Sequence, residues 1–192
     1  MAVNAAAGTL FAWSVLVPGL SDDFAMPVDE LGIVFSTALV AFALAMHFSG
    51  RAVDLHGPRR AAAVAGVLSG TGLAVAAAAP NLLVLDLGFG LLFGFGSGLA
   101  YLSAVSWATT RGGRRRARAI GLVVASYAAG PVVAAPFGTF AGDRWGWRAT
   151  LAVSSAAVSA IILLASRGMP GPLSAPTRAK DRSADSDVGD AV

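Results

Sequence analysis

Few side chains in this 192-residue chain could do chemistry. Cysteine is absent, which excludes disulfides, thiolate metal sites and cysteine nucleophiles. The two histidines, His47 and His56, lie nine residues apart and are a poor basis for a zinc site. Neither a G-x-S-x-G nucleophile elbow nor a glycine-rich phosphate loop with lysine occurs. The sequence therefore predicts no enzyme, with no catalytic residue, metal or cofactor.

One polar pattern occurs twice. Residues 54–59 and 143–148 share D-x-x-G-x-R, and the two copies lie 89 positions apart. An aspartate can accept hydrogen bonds at a helix N-terminus, and a glycine permits a tight turn. The arginine can pair with the aspartate or with lipid headgroups. Each copy therefore predicts a tight turn that leads into a helix.

The segments around this pattern are apolar. Hydrophobic residues make up 56% of the chain and charged residues 13%, about half the soluble norm, and the mean hydropathy is +0.69. Six apolar spans, near the roughly 20 residues that a bilayer requires, are predicted at 2–20, 31–49, 61–80, 82–110, 119–142 and 149–166. Only Asp86 is charged within them, and their uniformly apolar character favours helices over a barrel. We predict an all-α membrane protein with six transmembrane helices over residues 1–166.

The basic residues indicate an orientation. Twelve of the 14 Lys and Arg residues lie on one side of the predicted spans, whereas the opposite loops hold only Arg144 and Arg148. The chain is therefore predicted to be a multi-pass protein of the cell membrane with both termini in the cytoplasm. Because topology explains the basic patch, the expected partner is the lipid bilayer and not nucleic acid. Residues 167–192, rich in Pro, Ser, Asp and Ala, are predicted to be a disordered cytoplasmic tail or a linker.

The repeated pattern also predicts an internal arrangement. Each copy precedes the last span of a three-span unit. Because three is an odd number, equivalent loops of two such units lie on opposite faces of the membrane. The pattern therefore fits two inverted three-helix repeats, an arrangement typical of secondary transporters.

A family resemblance extends this interpretation. Residues 50–60 (GRAVDLHGPRR) resemble the loop between helices two and three of the major facilitator superfamily, G-x-x-x-D-R-x-G followed by basic residues. The G-P-R-R ending and residues 13–18, 94–101 and 146–149 resemble its monocarboxylate and oxalate/formate porter branch. The resemblance covers nearly all of residues 8–166 and implies the amino-terminal half of such a transporter. Because a complete member has two six-helix halves, it also implies a missing carboxyl-terminal half or a second copy as partner.

In the family that it resembles, this loop acts as a conformational latch. By position, the latch residues are Gly50, Asp54, Gly57, Arg59 and Arg60, with Asp54 paired to a nearby arginine. Leu55 stands where the family has a basic residue, so one arm of the charge network is missing. Gly90 stands where many proton-coupled relatives carry an arginine, which argues against proton antiport through that residue.

The remaining candidates are aromatic, hydroxyl-bearing or small residues. The candidates for a substrate cavity are Trp13, Ser14, Tyr101, Ser126 and Tyr127, although aromatic residues near span ends more often form interfacial belts. Stripes of small residues, for which helix packing is the preferred interpretation, include Gly90, Gly94, Gly98 and Gly130. Pro131 and Pro136 can kink helix five, as part of a gate or as a passive bend. Asp86 lies near a span end and is expected to reach interfacial water.

Three functional hypotheses follow from these observations. The first is transport of a small organic solute, with monocarboxylates as the candidate class, by an amino-terminal half of a secondary transporter. The second is a membrane interaction or scaffold protein without transport of its own, which the absence of lysine and arginine inside the spans favours. The third is a half-transporter that is active only as a homodimer.

Overall fold

The computed structural model describes residues 1–110 and 113–171, and these residues form helices joined by short turns, without any strand. The predicted tail from residue 172 onward lies outside the described residues. The helices are α1 (Ala2–Val15), α2 (Val17–Phe24), α3 (Val28–Phe48), α4 (Gly50–His56), α5 (Pro58–Ala77), α6 (Leu82–Thr109) and α7 (Gly113–Ser166). These bounds agree with the second, third and fourth predicted spans to within a few residues. The first predicted span, 2–20, falls on two helices, α1 and α2, and the last two predicted spans fall in the single segment α7.

Helix α7 is broken at Gly146. Its backbone angles there are φ 79° and ψ 165°, the only non-helical values within Gly113–Ser166. We refer to residues 113–145 as α7a and to residues 147–166 as α7b. Pro131 and Pro136 lie inside α7a, so the chain breaks at the glycine of the repeated pattern and not at either proline.

The two copies of D-x-x-G-x-R adopt the same turn. Gly57, which ends α4, has φ 81° and ψ 157°, nearly identical to the values at Gly146. This region of the backbone map is accessible essentially only to glycine. In the first copy the turn is followed by Pro58, whose fixed φ suits the first position of a helix.

Two helices depart from regular α geometry. The first six residues of α1, Ala2–Ala7, are followed by a 3₁₀ segment, Gly8–Val15, and α1 and α2 meet at a bend of 52°. Helix α6 contains a π segment, Asp86–Phe93, between two α-helical stretches. A π segment is wider than an α-helix, and π segments occur frequently at functional sites.

Glycines bring the helices together at backbone distance. A methyl group on Gly94 of α6 would lie 2.5 Å from the carbonyl oxygen of Ala38 in α3. One on Gly8 of α1 would collide with the carbonyl oxygen of Tyr127 in α7a. Small residues at an interface allow membrane helices to pack closely. Gly98 and Gly130 make equivalent approaches, to the backbone of α3 and of α1 respectively.

Helices α5 and α7b cross at a pair of small residues. A methyl group on Gly70 would lie 2.7 Å from the Cβ atom of Ser159, and Ser155 Oγ donates a hydrogen bond of 2.7 Å to the Gly70 carbonyl. Gly70 and Ser159 are 89 positions apart, the same spacing as Gly57 and Gly146.

The helices are long and apolar enough for a membrane protein. Four of the described helices meet that criterion, namely α3, α5, α6 and Arg115–Ser166 within α7, and the bent pair α1 and α2 makes a fifth when it is counted as one span. The described residues confirm the all-α fold and fit a membrane protein, while the count of six spans and the inverted repeats stay predictions.

Candidate functional site

Five aromatic side chains from four helices meet on one side of the bundle. Tyr127 of α7a is central: its ring centroid lies 5.2 Å from Tyr101 of α6, 5.7 Å from Phe42 of α3 and 5.9 Å from Phe11 of α1. Phe35 of α3 extends the group through Phe11, at 5.9 Å. Most of these contacts are edge-on or tilted, the favourable arrangements for aromatic pairs. We call these five residues the aromatic cluster.

A buried hydrogen-bond chain orients the central tyrosine. Ser97 Oγ donates to the carbonyl oxygen of Ala7 at 2.8 Å and lies 3.2 Å from Tyr127 Oη. Because a serine hydroxyl has one hydrogen to donate, Tyr127 must be the donor to Ser97. Nearby, Asn4 Nδ2 donates to the Val123 carbonyl at 2.9 Å. These bonds fix α1 against α6 and α7a beside the cluster.

The cluster is open on one side. Tyr127 is only 9% exposed, whereas Phe11 is 46% exposed, and Tyr101 is half-buried. No hydrogen bond to the Tyr101 hydroxyl occurs within residues 1–110 and 113–171. The site therefore offers an aromatic wall and one hydroxyl that can donate to a small polar molecule.

The five candidates for the cavity are not brought together. Tyr101 and Tyr127 belong to the aromatic cluster, but Trp13 packs on Phe89 at 4.5 Å in a different part of the bundle. Ser14 is exposed, and Ser126 donates to the Val123 carbonyl one turn earlier in its own helix, at 2.8 Å.

Sequence reasoning missed several members of the site, namely Phe11, Phe35, Phe42, Ser97 and Asn4. The seven-residue spacing of Phe35 and Phe42, which places them on one helix face, was a usable signal. Nothing local marks Asn4 or Ser97, because their partners come from distant helices.

Asp86 is packed against α3 inside the bundle. Its Oδ2 accepts a hydrogen bond of 3.4 Å from Thr37, and its Oδ1 is buried without a partner. A methyl group on Gly90 would collide with Asp86 Oδ1, so this glycine leaves room for the carboxylate. The contact between α6 and α3 covers Oδ1, but Asp86 as a whole is partly exposed, so the expectation that it reaches interfacial water stays a prediction. The described residues contain no group of three or more side chains suited to a metal ion.

The loop of the predicted latch presents its charges outward. Asp54, Arg59 and Arg60 are all exposed, at the end of α4 and the start of α5, and Gly50 begins α4. Asp54 and Arg59 do not form an ion pair, since within the described part of the chain the one ion pair closer than 4.0 Å joins Arg148 to Asp23. The pairing implied by the resemblance is therefore absent from this conformation.

The second copy of the pattern forms a polar contact between three helices. Trp147 Nε1 donates to Asp23 Oδ2 at 2.8 Å, and Arg148 Nε lies 3.8 Å from the same oxygen. Arg148 also donates to the carbonyl oxygen of Ala79, at 2.7 Å, and stacks over the Trp147 ring at 4.2 Å. The partner of Arg148 is thus an aspartate at the end of α2, and not Asp143 of its own motif. We call Asp23, Ala79, Trp147 and Arg148 the polar tie.

A family comparison covers this whole arrangement. Residues 1–188 match the sequence model of the Major Facilitator Superfamily. The chain belongs to this superfamily. As a superfamily member with apolar helices of spanning length, it is a multi-pass membrane protein.

Relatives of the chain among curated proteins agree with the superfamily assignment. Monocarboxylate transporter 11 of Mus musculus is 32% identical over 144 residues, which cover 75% of this chain and 32% of the relative. The human protein of the same name is 31% identical over 144 residues, covering 75% of this chain and 31% of the relative. An uncharacterized MFS-type transporter of Escherichia coli, YhjX, is 30% identical over 120 residues, or 60% of this chain and 30% of the relative. The chain therefore spans about a third of the length of the curated relatives that it matches.

Proposed function

We propose that the chain is the amino-terminal six-helix half of a secondary transporter that moves a small organic solute across the cell membrane. In this proposal α1 with α2, α3, α5, α6, α7a and α7b are the six spans, and residues 167–192 lead toward a second half. The Major Facilitator Superfamily match and the transporters among the relatives support it.

The two three-helix units are proposed to be inverted repeats. One unit runs from α1 to α5 and the other from α6 to α7b. The matching turns at Gly57 and Gly146 support this arrangement, because both directly precede the last helix of a unit. The contact between Gly70 and Ser159 supports it independently, since residues at equivalent positions meet only near an axis that relates the two units.

The aromatic cluster is the proposed solute-binding surface of this half. Its side chains come from both proposed repeats, and the Tyr101 hydroxyl lacks a protein partner among the described residues. That unused donor is the observation that carries the proposal. Two relatives are named monocarboxylate transporters, so a short monocarboxylate is the solute class that we infer. No lysine or arginine lies in the predicted spans, and we infer that the countercharge comes from a second half or a second copy.

The test measures uptake of a radiolabelled monocarboxylate such as lactate into proteoliposomes. The proteoliposomes contain the whole protein that the gene encodes. A hydrogen bond to a charged group contributes about 1.5–3 kcal/mol, so the Tyr101→Phe variant should raise KM by roughly 10- to 100-fold at unchanged protein content. The matched control is Ser14→Ala, which removes an exposed hydroxyl outside the cluster and should leave KM unchanged.

Other results would redirect the proposal. Equal effects of the two variants would remove Tyr101 from the solute site. Uptake that appears only when two copies are cross-linked would favour a homodimeric half-transporter. Retention of a membrane partner without any uptake would favour the scaffold hypothesis.

A further inference from the structure

An apolar groove of about 370 Å³ lies between α1, α7a and α7b, on the side of the bundle where Trp13 sits. It is separate from the aromatic cluster, none of whose five residues lines it. We propose that this groove binds one acyl chain of a membrane phospholipid.

The shape of the groove fits a chain that lies along the bilayer normal. Lining residues extend from Ala2 in α1 to Leu16, directly after that helix, and from Thr150 to Ile161 in α7b. At 1.5 Å per residue, the shorter of these walls is roughly 17 Å long. A cavity of about 150 Å³ holds benzene, so the present volume accommodates roughly a dozen carbon atoms on the same scale.

The lining is almost wholly apolar. It contains no charged side chain within the described residues. Of its three hydroxyl-bearing side chains, Thr9 donates to the Ala6 carbonyl at 2.8 Å and Thr150 donates to the Gly146 carbonyl at 2.9 Å. This leaves Ser154 and the Trp13 indole as its few polar groups, so a polar molecule that entered would lose its hydration for at most these two partners. An acyl chain has no such cost.

The groove also opens where lipid is at hand. Val133 and Phe137 of α7a and Ile161 of α7b line it and are 75%, 40% and 43% exposed, so its mouth lies between α7a and α7b. Small residues on both helices, among them Ala134 and Ala157, leave the space unfilled. Because these helices are long and apolar enough to span a membrane, lipid tails are the apolar molecules available to a mouth between them.

Trp13 provides a reporter inside the groove. It lines the groove, is only 5% exposed and packs on Phe89. Brominated acyl chains quench indole fluorescence at short range. The Trp13 signal is obtained as the difference between the wild-type protein and its Trp13→Phe variant.

The experiment compares vesicles of phosphatidylcholine with and without bromine on the acyl chains. We expect brominated chains to reduce the Trp13 signal at least twofold. Ala157→Leu, which fills the groove, should abolish at least half of that quenching. The matched control Ala156→Leu alters an exposed neighbour that does not line the groove and should quench like the wild type. If Ala157→Leu does not fold, Ala134→Leu with Ala129→Leu as its control makes the same comparison.

Three results would overturn the inference: an unquenched Trp13 signal, quenching that Ala157→Leu leaves intact, or quenching of Trp13 by aqueous iodide in place of the brominated chains. The measurement does not depend on transport, so it stands apart from the uptake test of the aromatic cluster.

Discussion

Two glycine residues mark where one helix ends and the next begins. Gly57 and Gly146 both hold positive φ with extended ψ, a combination that side chains with a Cβ atom avoid. Around Gly146 a methyl group would meet nothing within 4 Å. Its conformation, and not lack of space, therefore explains the need for glycine.

Replacing Gly146 isolates this backbone cost. We expect Gly146→Ala to lower the free energy of unfolding by about 1–3 kcal/mol, the usual cost of a residue in a disfavoured backbone region. Gly142→Ala is the matched control, because it too has open space but lies within the helical part of α7a. There alanine should be neutral or stabilising by up to about 1 kcal/mol. Unfolding in mixed micelles with increasing amounts of a denaturing detergent measures the free energy of unfolding of both variants. Equal changes in the two variants would contradict the backbone explanation.

For single residues, the sequence predicted the kind of role that a side chain has better than it predicted the residue that the side chain contacts. Glycines of the motif were expected to make turns, and the structure has them there. Arg148 was expected near the aspartate of its own motif or at headgroups, but it contacts Asp23. The partner could not be predicted because α2 and α7b meet only through tertiary packing, 125 residues apart in the chain.

Contacts between helices depend on glycine at specific positions. On Gly94, a methyl group would press on the backbone of Ala38 at 2.5 Å, so α3 and α6 would have to separate. We expect Gly94→Ala to destabilise by about 1–3 kcal/mol, as overpacking typically does. Gly121→Ala in α7a, where nothing lies within 4 Å, should have no such cost. Detergent-induced unfolding compares the two variants, and the interpretation fails if they behave alike.

The polar tie joins α2 and α7b to the end of α5. Trp147→Phe and Asp23→Ala both remove the 2.8 Å hydrogen bond, and each should cost about 1.5–3 kcal/mol because the acceptor is charged. Asp23→Asn keeps an acceptor oxygen but makes it neutral, so it removes the ion pair with Arg148 and weakens the Trp147 hydrogen bond without abolishing it. Both side chains of the ion pair are about half exposed, so the pair itself contributes below about 1 kcal/mol, and the total loss should be smaller than that of Asp23→Ala.

A double-mutant cycle checks the assignment of the polar tie. Combining Trp147→Phe with Asp23→Ala should cost little more than either change alone, since both remove the same bond. Additive losses in the free energy of unfolding would mean that the two residues stabilise the protein independently.

The helices themselves were largely predictable, and their irregularities were not. Apolar runs between charged residues predicted α3, α5 and α6 to within a few residues, because a bilayer imposes a minimum length on any helix that crosses it. The 3₁₀ segment of α1 and the π segment of α6 have no local marker. Each contains a glycine at which a neighbouring helix approaches at backbone distance, Gly8 and Gly88 respectively.

At the scale of the whole molecule, the aromatic cluster could be recognised only once the fold was known. Its five rings come from four helices between residues 11 and 127, so no sequence window contains them. Two of its members, Tyr101 and Tyr127, were nevertheless proposed from residue type and depth. Trp13 satisfied the same criteria but faces the groove, because the sequence pattern does not fix the rotation of a helix about its axis.

The orientation of the proposed inverted repeats leads to a prediction for the whole chain. Asp54 and Asp143 hold equivalent positions in the two motif copies, and both are exposed. In inverted three-helix units such positions lie on opposite sides of the membrane, and the distribution of basic residues predicts that Asp54 lies on the cytoplasmic side. Because the chain has no cysteine, Asp54→Cys and Asp143→Cys each introduce a single thiol.

A membrane-impermeant maleimide distinguishes the two positions. In intact cells, we expect the reagent to label the Asp143→Cys variant at once and the Asp54→Cys variant only after the membrane is permeabilised. The cysteine-free wild-type chain is the control for background labelling. Labelling of both thiols from outside would contradict the inverted arrangement, because it would put equivalent turns on one face. A reversed pattern would keep the inversion and overturn the proposed cytoplasmic location of the termini.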